Sequence, residues 1–203
     1  MSRSDQQALI ARRRHFLRAA VLGGAAVVLG GSWARKLLAH ADAAPTVSAA
    51  APDVLLECFA DDDGHHLGPC RVRKLVLSET QWRQRLSDDA FYVMRREGTE
   101  RAFSGQYRNQ HAKGLYRCPG CDTALFDAST KFDSGTGWPS FWQPIAKANV
   151  IEHSDSTLGM ERIAVSCAGC DSHLGHVFDD GPKPTGLRYC MNSVALRFIP
   201  RAG

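Results

Sequence analysis

Hydrophobic and polar positions change their spacing along the chain, and the changes mark its segments. An apolar run rich in Gly and Ala extends from Ala19 to about Gly31. Residues 42–52 are rich in Ala and Pro and have no hydrophobic period, which is typical of a flexible linker. Short apolar segments separated by turn residues begin at residue 53 and indicate the folded part of the chain.

The folded part opens with a predicted β-hairpin over residues 53–77. The apolar segments 54–59 and 71–76 predict strands. Between them, Asp61-Asp62-Asp63-Gly64 is a turn signal.

Two short helices are expected next. Ser78 and Gln81 fit a capping box, which predicts a helix that extends to Leu86. Ser87 is the predicted cap of a second helix, and Gly98 is its predicted end.

From Gly105 onward the apolar segments are short, and Gly, Pro and aromatic residues are frequent. Short strands at this spacing predict a mainly β fold with antiparallel sheets, in a domain over residues 78–203. The candidate strands are 114–117, 149–153, 161–166, 176–178, 187–191 and 194–199.

The composition is that of a globular protein, since 44% of the 203 residues are hydrophobic and 23% are charged. The formal net charge is +4, but its position along the chain decides its meaning. Residues 1–41 carry seven basic side chains and one acidic side chain, which leaves 18 basic against 20 acidic side chains in the remainder. The excess of basic charge therefore belongs to the N-terminal segment, and we expect no nucleic-acid partner.

That N-terminal segment has the order of a secretory leader. Its apolar run is shorter than the roughly 20 residues that a membrane-spanning helix needs, and Ala39-His40-Ala41 and Ala41-Asp42-Ala43 offer cleavage sites. The string Arg13-Arg14-His15-Phe16-Leu17-Arg18 looks like a twin-arginine export signal. We therefore predict that residues 1–41 are a signal peptide, that the protein is periplasmic and that it meets the membrane only during export. The alternative is an uncleaved segment that anchors the protein.

Seven cysteines are an odd number, so they cannot all be paired in disulfides within one chain. Four of them form two Cys-x-x-Cys pairs, and the gap of 45 residues between the pairs implies that they lie on separate hairpins. Two such turns supply four sulfurs at tetrahedral distance, which predicts one structural zinc ion. Two disulfides and a redox-active Cys-x-x-Cys are the alternatives. The predicted ligands are Cys118, Cys121, Cys167 and Cys170.

Cys190 is a candidate nucleophile. If its segment is a strand, Arg188, Cys190 and Asn192 share one face, and the positive charge of Arg188 favours a thiolate. A lone cysteine on a strand is more often buried and inert. However, His173 and His176 follow the second cysteine pair directly, and imidazoles near a thiol suit acid–base work.

Four segments of the chain match the motifs of a known family. They are Gly98-Thr99-Glu100-Arg101-Ala102-Phe103-Ser104-Gly105, Lys131-Phe132-Asp133-Ser134-Gly135-Thr136-Gly137-Trp138-Pro139-Ser140-Phe141, His173-Leu174-Gly175-His176-Val177-Phe178-Asp179-Asp180-Gly181 and Gly186-Leu187-Arg188-Tyr189-Cys190-Met191-Asn192-Ser193. With these segments, the chain resembles the B-class methionine sulfoxide reductase family, which is specific for the R epimer of the sulfoxide, over roughly residues 75–199. The resemblance implies a fold of two antiparallel sheets with zinc opposite the active site, and repair of oxidised methionine in proteins, with the free amino acid as a further substrate.

The resemblance also implies a role for each site residue. Attack by the thiolate on sulfur would release methionine and leave a sulfenic acid. The matching positions are Cys190 for the nucleophile, Trp138 for the wall that packs the substrate methyl group, His173, His176 and Asn192 for the polar groups around the sulfoxide oxygen, Phe178 and Asp180 for the pocket lining, and Arg188 for the charge beside the thiolate.

One position departs from the family pattern. Many members carry a second, resolving cysteine where this chain has Thr136. Either Cys58 or Cys70 resolves Cys190, or an external thiol, from a thioredoxin-like or other reductant, reduces the sulfenic acid directly. Alternatively, Cys58 and Cys70 pair with each other, which export favours. We expect a monomer. A zinc-dependent binding module and a thiol–disulfide exchanger are the competing functions.

Overall fold

A computed structural model describes residues 51–61, 64–156 and 161–201. The predicted signal peptide and nearly all of the predicted linker lie outside these residues and stay predictions. Within the described ranges, no helix is both long and apolar enough to cross a membrane. All of the described elements belong to one folded unit.

The N-terminal hairpin consists of β1 (Asp53–Phe59) and β2 (His66–Arg73), which pair antiparallel. β2 begins at His66, earlier than the predicted start at residue 71. Gly68 and Pro69 weaken the strand signal there, but a two-stranded hairpin tolerates a proline because each strand has a free edge.

The capping box is present at the start of α1 (Glu79–Arg85), where Ser78 and Gln81 each bind the other's backbone N–H. Ser87 caps α2 (Asp88–Arg96) as predicted. The residue in the left-handed conformation after α2 is Glu97, with φ 55°, and not the predicted Gly98. The N–H of Gly98 still closes the helix end, because it donates to the carbonyl of Tyr92 at 3.1 Å.

Nine further strands form two antiparallel sheets within the described residues, in agreement with the predicted fold class. The larger sheet has the order β5-β6-β10-β9-β8-β7, and the smaller sheet has the order β11-β3-β4. The strands are β3 (Gly114–Arg117), β4 (Ala124–Asp127), β5 (Lys131–Phe132), β6 (Ser140–Phe141), β7 (Val150–Asp155), β8 (Arg162–Cys167), β9 (His173–Phe178), β10 (Arg188–Met191) and β11 (Arg197–Pro200).

The strand prediction is right for β3 and close for β7, β8 and β10. It misses β4, β5 and β6, because β4 is a short apolar run without alternation and the other two have two residues each. β9 begins at His173, three positions before the predicted start. Ser193–Ala195 forms a turn of 3₁₀ helix, so the last strand starts only at Arg197.

An aromatic cluster joins the two sheets. Tyr116 and Phe126, from the small sheet, and Phe141, from the large one, are fully buried. The ring of Phe141 stacks on Phe126 at 4.4 Å and meets Tyr116 edge-on at 5.0 Å. Such pairs add about 0.5–1.5 kcal/mol each to the burial of the rings. This cluster fixes β6, and therefore the strand that pairs with it, β10.

Candidate active site and cysteine cluster

Cys190 lies in the middle of a row of residues that crosses the large sheet. Its Cα partner on β6 is Ser140, and its partner on β9 is His176. The row continues through Ala164 on β8 to His153 on β7. Directly opposite residues of antiparallel strands point to the same face, with Cβ atoms about 4.5–5.5 Å apart. The pairing therefore puts the thiol and the imidazole of His176 side by side.

The thiol opens into a small cavity of about 120 Å³. This volume suits the end of one side chain, since pockets for drug-sized ligands hold about 300 Å³ or more. Five of the predicted site residues line the cavity: Trp138, His176, Phe178, Cys190 and Asn192. The cavity is also lined by Thr99, Gly175 and Arg162, which the sequence did not single out.

Gly175 allows β9 to approach β10 closely. A Cβ atom at this position would lie 2.1 Å from the carbonyl oxygen of Cys190. Any side chain here would therefore push the strand of Cys190 away from the strand that carries His176.

The Trp138 wall is held by the segment after α2. Its indole Nε1 donates to the carbonyl of Glu100 at 3.1 Å. The carboxylate of Glu100 in turn accepts the backbone N–H groups of Ser193, at 2.7 Å, and Val194, at 3.1 Å. These bonds tie the indole to the turn that follows β10.

Asn192 lies one residue beyond the end of β10, and its amide is largely occupied. Its Oδ1 accepts the backbone N–H of Glu100 at 2.9 Å, and its Nδ2 donates to the carbonyl of Leu174 at 3.0 Å. The predicted strand 187–191 also ends before Asn192, so the face that Arg188 and Cys190 share does not extend to Asn192. Its side chain ties the Glu100 segment to β9 at the edge of the cavity.

His176 binds a carboxylate that the sequence did not reveal. Its Nε2 lies 2.8 Å from Oδ2 of Asp155, and the same oxygen accepts from Nη2 of Arg162 at 2.7 Å. A carboxylate only accepts hydrogen bonds, so Nε2 carries the proton and Nδ1 of the neutral ring keeps a free lone pair. Burial lowers the pKa of His176, and the hydrogen bond to Asp155 opposes part of that shift.

His173 is buried and does not line the cavity. Its ring packs edge-on against His176 at 5.2 Å. Burial is the main reason that its pKa falls to about 4, so it is neutral at pH 7. Its Nε2 is buried and has no hydrogen-bond partner among the described residues.

Burial also raises the pKa of the Cys190 thiol. The Thr136 hydroxyl, 3.9 Å from Sγ, and the positive charge of Arg188 lower it in part. The direction predicted for Arg188 is therefore right, but burial outweighs it and Cys190 rests as a thiol.

Arg188 and Asp180 form a pair beside the cavity and are not part of its lining. The guanidinium donates from Nε and Nη2 to the two carboxylate oxygens of Asp180, at 2.8 Å each. It also stacks over Phe178, with 4.4 Å from Cζ to the ring centroid. The pairing holds the pKa of Asp180 below its usual value. Asp180 thus fixes Arg188 from the solvent side.

The four cysteines of the Cys-x-x-Cys pairs form one cluster, in which all sulfurs lie within 4.8 Å of one another. Sγ of Cys118 is 3.7 Å from Cys170, and Sγ of Cys121 is 3.4 Å from Cys167. A tetrahedral ion with metal–sulfur bonds of about 2.3 Å spaces its sulfurs about 3.8 Å apart. The four sulfurs therefore have the spacing of a four-thiolate metal site.

The two turns of the cluster are built alike. In each turn, the residue after the second cysteine has positive φ and donates its N–H to the carbonyl of the first cysteine at 2.8 Å. These residues are Asp122 and Asp171. The hydroxyl that follows, from Thr123 or Ser172, lies within 3.2 Å of the second sulfur. Equivalent turns present equivalent pairs of sulfurs.

Cys58 and Cys70 are bonded to each other. They are not directly opposite each other in the hairpin. Cys58 faces Gly68, and the disulfide crosses diagonally over a Cα–Cα distance of 5.9 Å. The register of the whole hairpin is the reason, because the Cα partner of Cys70 is Leu56. Either cysteine would have to leave this bond before it resolved Cys190.

The disulfide lies close to the cysteine cluster. Cys58 and Cys121 line the same cavity of about 330 Å³, between the hairpin and the first cysteine turn. Asn149 connects the hairpin to β4, the strand that follows the first cysteine turn. Its amide binds the backbone of Glu57 and the carbonyl of Ala124, all at 2.8 Å.

Comparison with known proteins agrees with this arrangement. Residues 86–200 match the SelR domain. The chain is 54% identical over 122 residues to the peptide methionine sulfoxide reductase MsrB of Pseudomonas paraeruginosa, which covers 60% of this chain and 92% of that protein. It is 52% identical over 132 residues to the MsrB of Pseudomonas putida, with 65% of this chain and 99% of that protein covered.

A plant relative is matched over only part of its length. The match to the chloroplastic peptide methionine sulfoxide reductase B1 of Arabidopsis thaliana is 56% identical over 121 residues and spans 60% of each chain. The SelR match covers more than half of the chain and includes the Cys190 strand, the Trp138 wall and all four clustered cysteines. The chain therefore belongs to the peptide methionine sulfoxide reductase B family.

Proposed function

We propose that this protein reduces the R epimer of methionine sulfoxide in proteins to methionine, with Cys190 as the nucleophile. One observation carries the proposal: Cys190 and His176 are direct cross-strand neighbours on the wall of a small cavity that Trp138 closes. Family membership supports the same reaction. A noncatalytic binding module has no need for this thiol–imidazole pair.

The pKa directions define the starting state. Burial keeps the proton on the Cys190 thiol and off the His176 ring at neutral pH. Since Nε2 of His176 faces Asp155, Nδ1 is the site that takes up the thiol proton. The result is a thiolate beside an imidazolium, which Asp155 stabilises through its negative charge.

The reaction then balances without an outside proton. The thiolate attacks the sulfoxide sulfur to form a transient S–S bond, and the imidazolium returns its proton to the sulfoxide oxygen. The oxygen then forms a bond to the Cys190 sulfur as its bond to the methionine sulfur and the S–S bond break, so methionine leaves as the thioether and Cys190 becomes a sulfenic acid. The methionine sulfur is reduced and the cysteine sulfur is oxidised by the same two electrons.

The flat indole of Trp138 suits the methyl group of the substrate, since its Nε1 is occupied by the Glu100 carbonyl. A sulfoxide sulfur carries a methyl group, an oxygen and the rest of the side chain. When the methyl group packs on the indole and the oxygen points to His176, only one epimer presents its sulfur to Cys190.

An external thiol regenerates the enzyme in this proposal. One thiol condenses with the sulfenic acid and releases water, and a second thiol then frees Cys190 and leaves as the disulfide. Thr136 stands where many family members carry the resolving thiol, and its hydroxyl lies 3.9 Å from Sγ of Cys190. The bond between Cys58 and Cys70 removes both from this task.

We assign a structural zinc ion to the cysteine cluster. Its four sulfurs have tetrahedral spacing, and four thiols packed this closely become stable as thiolates only when a cation neutralises them. When bound, zinc joins the β3–β4 turn to the β8–β9 turn, with no open coordination position for catalysis. The ion would therefore stabilise the fold and take no part in the reaction.

Export by the twin-arginine route is part of the proposal. The leader pattern supports it, and so does the disulfide in the hairpin, because disulfides persist in oxidising compartments. Replacing Arg13 and Arg14 by Lys should retain the protein in the cytoplasmic fraction at full length. Unchanged periplasmic recovery of this variant would refute the route.

The decisive experiment is an assay of the full chain with both sulfoxide epimers and an excess of a small dithiol. We expect turnover of the R epimer only, its complete loss in Cys190→Ser, and normal rates in the control Cys58→Ser/Cys70→Ser. Activity of Cys190→Ser, or turnover of the S epimer alone, would overturn the assignment.

A further inference from the structure

Phe103 combines two unusual features outside the catalytic cavity. Its side chain is 61% exposed, among the most exposed large apolar side chains in the described residues. Its φ is +67°, in the left-handed region that bulky residues rarely adopt. Strained positions of this kind persist only where the surrounding structure holds them, and they concentrate at functional sites.

The segment that contains Gly137 holds Phe103 in this conformation. Its N–H donates to the carbonyl of Gly137 at 2.9 Å. Gly137 has φ +96°, and a Cβ atom built there would lie 2.8–3.0 Å from the backbone and ring of Phe103. The ring therefore lies directly on the glycine, which leaves room for it. On its other side, the guanidinium of Arg108 lies 5.4 Å from the ring centroid.

This contact places Phe103 against the residue next to Trp138, a wall of the cavity. Gly137 directly precedes Trp138, whose indole is bonded to Glu100. Thr99, at the start of the same segment, lines the cavity. The segment from residue 99 to residue 103 thus connects the cavity lining at Thr99 to the exposed ring of Phe103.

We propose that Phe103 is an outer subsite that binds an apolar side chain adjacent to the oxidised methionine of a polypeptide substrate. The inference rests on the proposed function. A cavity of about 120 Å³ takes the methionine side chain only, so the rest of a polypeptide must cross the rim. There it meets an exposed aromatic ring, held in place beforehand by Gly137. An isolated amino acid lacks the neighbouring side chain that would reach this ring.

The test compares three R-sulfoxide substrates: N-acetylmethionine sulfoxide amide, a peptide with Leu on both sides of the oxidised methionine, and the same peptide with Gly there. With the full wild-type chain, we expect kcat/KM for the Leu peptide to exceed that for the Gly peptide about tenfold, near the lower limit for apolar contacts in a pocket. Phe103→Ala should bring this ratio close to one and leave the N-acetyl substrate unaffected. Phe103→Tyr should retain the preference.

A matched control is Leu67→Ala, which removes a side chain of similar exposure, 59%, from the N-terminal hairpin. It should leave the ratio unchanged. An equal loss on all three substrates in Phe103→Ala would show that Phe103 only supports Trp138 and would overturn the subsite. So would a ratio that stays at its wild-type value. If the wild-type chain reduces none of the substrates, the proposed function itself fails.

Discussion

The carboxylate of Asp155 offers a sharp test of the proton transfer from Cys190 to His176. The perturbation is Asp155→Asn, which keeps the size of the side chain and removes its charge. The carboxylate binds both His176 and Arg162, and the side chains of His176 and Asp155 are only 12% and 14% exposed. Solvent therefore screens the pair weakly.

The expected magnitude follows from the change in hydrogen bonding. A hydrogen bond with a charged partner contributes about 1.5–3 kcal/mol net, against about 0.5–1.5 kcal/mol for a neutral one. Without the charge, the thiolate–imidazolium pair loses about 1–1.5 kcal/mol relative to the neutral pair. The maximal rate should fall about tenfold, since 1.36 kcal/mol corresponds to a factor of ten.

The direction in which the pH profile of the variant should move follows from the pKa of His176. Asp155 raises the pKa of His176 against the effect of burial, so its neutralisation lowers that pKa. A ring that is already protonated cannot accept the thiol proton, so activity rises as pH increases through the His176 pKa. In Asp155→Asn the acidic limb of kcat/KM should therefore move to lower pH while the plateau falls.

The assay is the pH dependence of kcat/KM with a peptide R-sulfoxide, after circular dichroism has verified folding. The control is Glu57→Gln, which removes a carboxylate 2.5 Å from the exposed His66 and should leave the profile unchanged. A plateau that stays at the wild-type level, or an acidic limb that moves to higher pH, would refute the role of Asp155.

Three further outcomes are expected. Removal of the disulfide in Cys58→Ser/Cys70→Ser should lower the free energy of unfolding by about 3 kcal/mol, because the cysteines are 12 residues apart. This loss corresponds to a fall in Tm of about 6–12 °C, and an unchanged Tm in calorimetry would contradict it. Treatment with a strong chelator should release one zinc per chain and make four additional thiols reactive to a colorimetric disulfide reagent; release without new reactive thiols would argue against the cysteine cluster as the site. Thr136→Cys should form a disulfide with Cys190 after one equivalent of sulfoxide, since the Thr136 hydroxyl already contacts the thiol at 3.9 Å; peptide mapping that finds a sulfenic acid on Cys190 and no such disulfide would refute this.

The sequence predicted the features that depend on a few adjacent residues. Each Cys-x-x-Cys turn is held by its own backbone hydrogen bonds. The four clustered cysteines can therefore be identified from the two short motifs alone, without knowledge of how the two turns pack together. The capping box at Ser78 and the strand of Cys190 are local in the same sense.

Features that depend on register between distant strands could not be predicted in this way. Asp155 reaches His176 only because β7, β8 and β9 pair as they do. The resemblance implies a place for Asn192 beside the sulfoxide oxygen, and Asn192 does line the cavity, but its amide is held by the backbone of Glu100 and Leu174, which are distant in sequence. The diagonal disulfide depends on the register of the hairpin, in which Cys70 is paired with Leu56 and Cys58 with Gly68.

The disulfide and the cysteine cluster demand opposite oxidation states from cysteines that border one cavity. Cys58 must give up its thiol proton and one electron to an oxidant, while Cys121 must stay reduced if the cluster is to hold the zinc ion proposed for it. The order of assembly therefore matters. A reduced chain that meets an oxidant before it meets zinc has seven thiols to pair and several wrong partners within reach. A chain that binds zinc first presents only the hairpin pair and Cys190. Maturation in the second order protects the cluster, and refolding yields should depend on which reagent is added first.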